Sequence, residues 1–279
     1  MMDPFLLAFL LALGGIFLGG LLLWFISAQG GRAGRALMER CARVPLLDLL
    51  ILYFVYAPGL LGYFIPRWQG AGFGEAALSM LAAIGGQIIG CLLWIACHEF
   101  AHRNTHKGVR IHKVMSARVG FVRNRLAVWW TLLAFPLFGL VRLAEIFLYP
   151  ALIWLVKFPR YRQRDWINVS RQKFDGLVGY DRLWCLYCDW MTGVWSLGGE
   201  MLRNVESFWC PIKFASPEKC ANCSHDFPDL DGGWIPADGA LPQVTQLLQE
   251  KYSRGGAMFI IDKPRLRGRV LSAARTQSA

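Results

Sequence analysis

The chain has 279 residues, of which 55% are hydrophobic, 14% aromatic and only 18% charged, and its formal net charge is +11. Soluble domains carry about a quarter charged residues, so this balance excludes an ordinary soluble protein. The positive charge does not point to nucleic acid, because no basic stripe within a recognisable nucleic-acid module accompanies it.

The apolar excess is concentrated before Lys157. Residues 1–157 read as a transmembrane helical domain, 158–264 as a polar cysteine-rich domain and 265–279 as a loose basic tail. The first apolar block, about 5–27, follows Met1-Met2-Asp3-Pro4, which has no basic residue. It exceeds the roughly 7–15 residues of a signal-peptide core and reads as an uncleaved anchor. Blocks at about 45–65 and 76–97 also have the roughly 20 residues that cross a 30 Å hydrocarbon core as helix.

The connections set an orientation. The first carries Arg32, Arg35, Arg40 and Arg43 against Glu39; the second holds only Arg67 and Glu75; the third, from Arg103 to Arg125, has seven basic residues and no acidic one. Positive charge marks the cytoplasmic side, so the first and third connections belong there.

The fourth block, 126–156, is too long for one untilted span and contains Pro136, Gly139, Arg142, Glu145 and Pro150. Basic residues from Lys157 to Lys173 follow it, so the expectation is a hairpin or re-entrant block with both ends cytoplasmic. Arg142 and Glu145, three apart, either pair on one helix face or snorkel from an interfacial helix. Glycines at 14–15, 19–20, 85–86 and 90 suit close helix packing.

Beyond Lys173 the pattern gives helix through Asp181–Val205, a cysteine-bearing loop region to Asp238, an amphipathic helix near Leu241–Tyr252 and a short strand at Ala257–Ile261. The fold class expected is an α-helical polytopic membrane protein, three spans plus a hairpin, with a small cytoplasmic α+β cysteine-rich tail.

Two patterns carry chemistry. The third span ends in His98-Glu99-Phe100-Ala101-His102, with His106 four residues further on. In His-Glu-x-x-His, two imidazoles at i and i+4 share a helix face and bind zinc while the glutamate is the general base. Over about a dozen residues this segment resembles the active-site helix of the site-2 family of intramembrane metalloproteases. The resemblance implies His98 and His102 as zinc ligands and Glu99 as the catalytic, water-activating base. The Asp-Gly pairs that stand nearest to the family's second motif, Asp175-Gly176 and Asp231-Gly232, lie in polar sequence. The alternative is a set of interfacial histidines among basic neighbours.

The second pattern is Cys185-x-x-Cys188 with Cys220-x-x-Cys223, and Cys210 between them. Two such pairs complete a four-thiolate site, zinc first and an iron–sulfur cluster second, with Cys210 as an alternate ligand. His225 is another candidate ligand, and disulfides compete if the tail faces an oxidising compartment.

The function expected is an integral inner-membrane metalloprotein, multi-pass with its cysteine-rich C-terminal domain in the cytoplasm, acting as a subunit or assembly factor of a membrane complex. Its partners are then the lipid bilayer and another membrane protein. The alternative is a membrane-bound zinc hydrolase using His98, Glu99 and His102.

Overall fold

The computed structural model describes residues 3–104, 110–174, 176–219 and 233–252. It divides into two compact units, one formed by Met1–Phe138 with Gln163–Val194, the other by Gly139–Arg162 with Trp195–Ala279. The described residues are mainly helical, and four helices are long and apolar enough to cross a membrane: α1 (Pro4–Gln29), α3 (Leu46–Trp68), α4 (Phe73–Ala101) and α6 (Phe121–Val156). Between them lie α2 (Gly31–Cys41) and α5 (Ile111–Val119), and α7 (Gly179–Trp209) and α8 (Leu241–Tyr252) follow.

Local sequence starts these helices where it should. Asp3 accepts a hydrogen bond from the Phe5 N–H and Pro4 occupies the first turn of α1, where its missing donor costs nothing. Glu75 reaches back to the Gly72 N–H at the start of α4.

Within the first unit, α1 and α4 pack backbone to backbone through glycines. A Cβ on Gly86 would collide with the Phe9 carbonyl, and one on Gly90 would stand 2.7 Å from the Leu13 carbonyl. Gly19 and Gly20 make room for Tyr53 and Trp94 in the same way. Lipid is as apolar as leucine, so close contact of this kind, and not water exclusion, holds spans together.

Prolines disturb these helices without breaking them. A π-helical turn at Leu52–Tyr56 precedes Pro58, a 3₁₀ turn at Thr131–Ala134 precedes Pro136, and a second π turn at Ala144–Leu148 precedes Pro150. Each proline lacks the N–H that the carbonyl four residues earlier would accept, so the preceding turn re-registers. At Pro58 the unmatched Phe54 carbonyl is taken up by the Gln87 side chain of α4 at 2.7 Å, which also reaches the Val55 carbonyl. Without water to serve them, carbonyls at that depth need a protein donor.

The expected hairpin at 126–156 is therefore corrected. Instead of turning back near Arg142 and Glu145, the chain runs through Phe121–Val156 as one helical stretch, its prolines absorbed by tightened and widened turns. Arg142 and Glu145 do pair, Nη1 to Oε2 at 2.7 Å, and both are buried.

The described residues give no support to the α+β tail. Its described part is helical, and only isolated bridges, Arg43 with Asn168 and Ile212 with Ile235, join extended segments among the described residues. The helix expected to end at Val205 continues to Trp209, and the one expected near Leu241–Tyr252 is α8. The strand expected at 257–261 lies outside the described residues.

In the first unit, the chain after Gln163 docks on the connection between α2 and α3. Val44 donates to the Ile167 carbonyl and Val169 to the Ala42 carbonyl, while Ile167 is fully buried. Ser170 Oγ and the Arg171 N–H both donate to Asp189 of α7. In the second unit, Asn204 of α7 donates to the hydroxyls of Tyr149 and Tyr161, and Gly198 lies against Val141 and Glu145.

Replacing Gly86 with leucine forces α1 from α4, and overpacking of this kind costs about 1–3 kcal/mol. Thermal unfolding in detergent is expected to show Gly86→Leu clearly destabilised, whereas Gly14→Leu, whose added Cβ meets nothing within 4 Å, leaves the midpoint near that of the parent.

Candidate functional site

The histidine segment ends α4, and its geometry is that of a helix junction. The Gly179 N–H donates to Nδ1 of His98 at 3.2 Å, and the Tyr180 N–H donates to Oε1 of Glu99 at 3.2 Å. These are the first residues of α7, whose opening N–H groups have no partner within their own helix, so the last turns of α4 cap it. Arg110 pairs with the same Glu99 oxygen at 3.5 Å. In return, Asp181 of α7 accepts from the Ile111 and His112 N–H groups at 3.0 Å each, capping α5, and meets Nδ1 of His112 at 3.0 Å. Gly179 is required twice over: its φ is +51°, and a Cβ there would strike the Glu99 side chain.

These commitments bear directly on zinc. The His98 and His102 rings stack with centroids 4.3 Å apart and planes 20° from parallel, between Trp24 and Trp94. Nδ1 of His98 accepts a backbone N–H, which leaves the proton of the neutral ring on Nε2. A zinc-binding imidazole has the opposite arrangement, donating from one nitrogen so that the other is free to bind. His102 has that arrangement, with Nδ1 at 2.9 Å from the His98 carbonyl. Glu99 is held by Tyr180 and Arg110. Among the described residues, no group of three or more histidine, cysteine or acidic side chains is placed to hold an ion. So arranged, His98, Glu99 and His102 do not fit a hydrolytic zinc centre.

The cysteines are divided. Cys185 and Cys188 stand three apart on α7, the first half-buried and the second exposed, beside Arg171. Burial pushes the Cys185 thiol above its ordinary pKa, with Arg171 opposing. Cys210 follows the end of the same continuous helix. Cys220, Cys223 and His225 lie outside the described residues, as does His106.

Sequence reading missed a cavity and the cation on its wall. An apolar cavity of about 440 Å³ opens within the first unit, lined by Ile16, Leu23 and Trp24 of α1, Leu50 and Phe54 of α3, Cys91 and Trp94 of α4, and Leu186 of α7. Its polar lining includes His98, His102, Gln172 and Arg182. Arg182 stands close enough to His98 to interact with it electrostatically. Burial pulls the Arg182 pKa down from its ordinary value, and among the described residues no hydrogen bond or ion pair engages its guanidinium. The signal in the sequence was Gly179-Tyr180-Asp181-Arg182, a glycine and an aspartate opening an amphipathic helix; nothing local says that the arginine turns toward the spans.

No family model, curated protein or solved structure matches the chain.

The junction makes a sharp distinction. Glu99→Gln keeps an oxygen to accept the Tyr180 N–H and is expected to unfold close to the parent, whereas Asp181→Ala is expected to cost about 1–2 kcal/mol, the value of a lost helix cap. Gly179→Ala is expected to be worse than either in the same thermal unfolding assay, because no rotation of Glu99 relieves the φ at that position.

Proposed function

We propose that this protein is a membrane-embedded binding protein for an amphiphile with an acidic head group, a carboxylate or phosphate carried on an apolar chain. The observation that carries the reading is Arg182, a guanidinium without a hydrogen-bond or ion-pair partner among the described residues, on the wall of a mainly apolar cavity. A desolvated cation is costly unless an anion accompanies it, and arginine's fork of donors suits carboxylate and phosphate.

The dimensions agree. From Ile16 to Ala28 the cavity follows about 18 Å of α1, close to one leaflet of a hydrocarbon core about 30 Å thick. Its volume lies within the roughly 300–1,000 Å³ usual for small-molecule sites, and its mix of apolar wall and few polar groups is typical of them. Arg182, His98 and His102 lie toward the end of α4 that leads into the basic connection, where a head group of an inserted lipid would sit. A binding role needs no general base, which is consistent with Glu99 serving as a cap.

A cysteine-held zinc or iron–sulfur module, in a subunit or assembly factor of a larger complex, is the second reading. Cys185 and Cys188 share one face of α7 with Cys188 exposed, so the pair offers half of a four-thiolate set to Cys220 and Cys223. Near-stoichiometric zinc or iron in the purified protein, lost in Cys188→Ser, would support it; a metal-free protein would remove it.

The amphiphile reading is tested by titrating purified, delipidated protein with dansylated undecanoic acid. Saturable binding is expected, weakened at least about tenfold in Arg182→Gln, since a hydrogen bond to a charged group contributes about 1.5–3 kcal/mol. Leu186→Trp, which fills the cavity and leaves Arg182 in place, is expected to block binding as well. Equal affinity for parent and Arg182→Gln would contradict the assignment.

A further inference from the structure

We infer that α6 does not cross the membrane but lies lengthwise in the leaflet on the basic side, presenting a continuous apolar stripe to the acyl chains. The first argument is its length. Its exposed apolar positions run from Leu126 to Leu155, about 44 Å of helix against a hydrocarbon core of about 30 Å, so an upright crossing leaves those at one end outside the lipid.

The second argument is where the chain goes before and after. The start of α6 is fixed on the basic side: Asn124 donates to the His112 carbonyl and to Ser116 Oγ of α5, and α5 is capped by Asp181 of α7, whose own first turn is capped by the end of α4. Eleven residues after Val156 the chain is on that side again, with Ile167 and Val169 bonded to Val44 and Ala42 in the arginine-rich connection after α2. Had α6 crossed, residues 157–166 would have to cross back. That stretch carries Lys157, Arg160, Arg162, Arg164 and Asp165, and only Gln163–Trp166 within it form a helical turn. Extended charged backbone does not traverse hydrocarbon, because its N–H and C=O groups find no partners there.

The third argument is the division of the helix into two faces. Leu126, Trp130, Leu133, Leu137, Leu140 and Phe147 are all exposed and recur at spacings of three, four and seven, and the stripe ends on Trp154, 76% exposed. The opposite face is polar where it is buried: Asn124, then the Arg142–Glu145 pair, then Tyr149, which meets Asn204 of α7. In the second unit, the partner along this face is the part of α7 bearing Glu200, Arg203 and Glu206, a helix of the wrong composition for a second span. Its exposed leucines and tryptophans can then meet acyl chains while its buried polar side chains are served by α7.

The same placement explains how Arg142 and Glu145 are accommodated: they lie level with the head groups, paired and turned toward α7, and no charge reaches the bilayer centre. It also assigns residues 163–194 to the face that carries the connection after α2.

Two measurements test the inference. Arg35→Cys, Gln69→Cys and Arg160→Cys are labelled with a membrane-impermeant maleimide in sealed vesicles of each orientation, and the label gained over the parent is scored. Arg160→Cys is expected to label from the same face as Arg35→Cys; labelling from the face of Gln69→Cys would overturn the inference. Nitroxides placed at the exposed positions 126, 140 and 154 then report depth. Equal depths within a few Å are expected, whereas a central position deeper than both ends, as in a hairpin, or a steady progression through the bilayer, as in a span, would overturn it.

Discussion

The arrangement of the first unit depends on one reciprocal exchange of hydrogen bonds. The last turns of α4 present His98 and Glu99 to the opening N–H groups of α7, and the first turn of α7 presents Asp181 to the opening N–H groups of α5. Helix termini are where backbone donors go unpaired, and at the edge of an apolar bundle water serves them poorly. Joining three termini through side chains of one another satisfies them together. Because Gly179 admits no side chain between itself and Glu99, the exchange also fixes the first turn of α7, and with it the place of Arg182 on the cavity wall.

That reading gives His-Glu-x-x-His a different physical meaning from the one its spacing suggests. Spacing four does place His98 and His102 on one face, as a metal site requires, but a face is only half of the requirement. The free nitrogen must also be the one turned toward the ion, and at His98 the ring is committed to accepting a backbone N–H. The motif is satisfied by structure before chemistry is needed. A glutamate at the membrane edge, costly when isolated, is here compensated by Tyr180 and Arg110.

Much of the architecture was legible in the sequence. The three N-terminal apolar helices follow from block length and composition, and the packing role of Gly19, Gly20, Gly86 and Gly90 follows from their clustering within spans. The fourth block was misread because Pro136 and Pro150 look like breaks; a sequence does not show that a 3₁₀ or π turn will absorb a proline, since that depends on donors arriving from elsewhere. The helix from Asp181 was legible in its amphipathic pattern, which α7 carries unbroken to Trp209, four residues beyond the expected end. The cavity itself was not legible: its walls come from α1, α3, α4 and α7, brought together only by folding, and Gly179-Tyr180-Asp181-Arg182 marks a helix start without showing that Arg182 faces the spans.

In the proposed function, an acidic head group from the lipid phase matches the charge of Arg182. Native mass spectrometry of the protein released from mild detergent tests it most directly. One acidic lipid or fatty acid is expected to be retained per chain, in the parent and in Glu99→Gln but not in Arg182→Gln. Retention of the same species by Arg182→Gln, or a parent protein that retains only zwitterionic lipid, would contradict it.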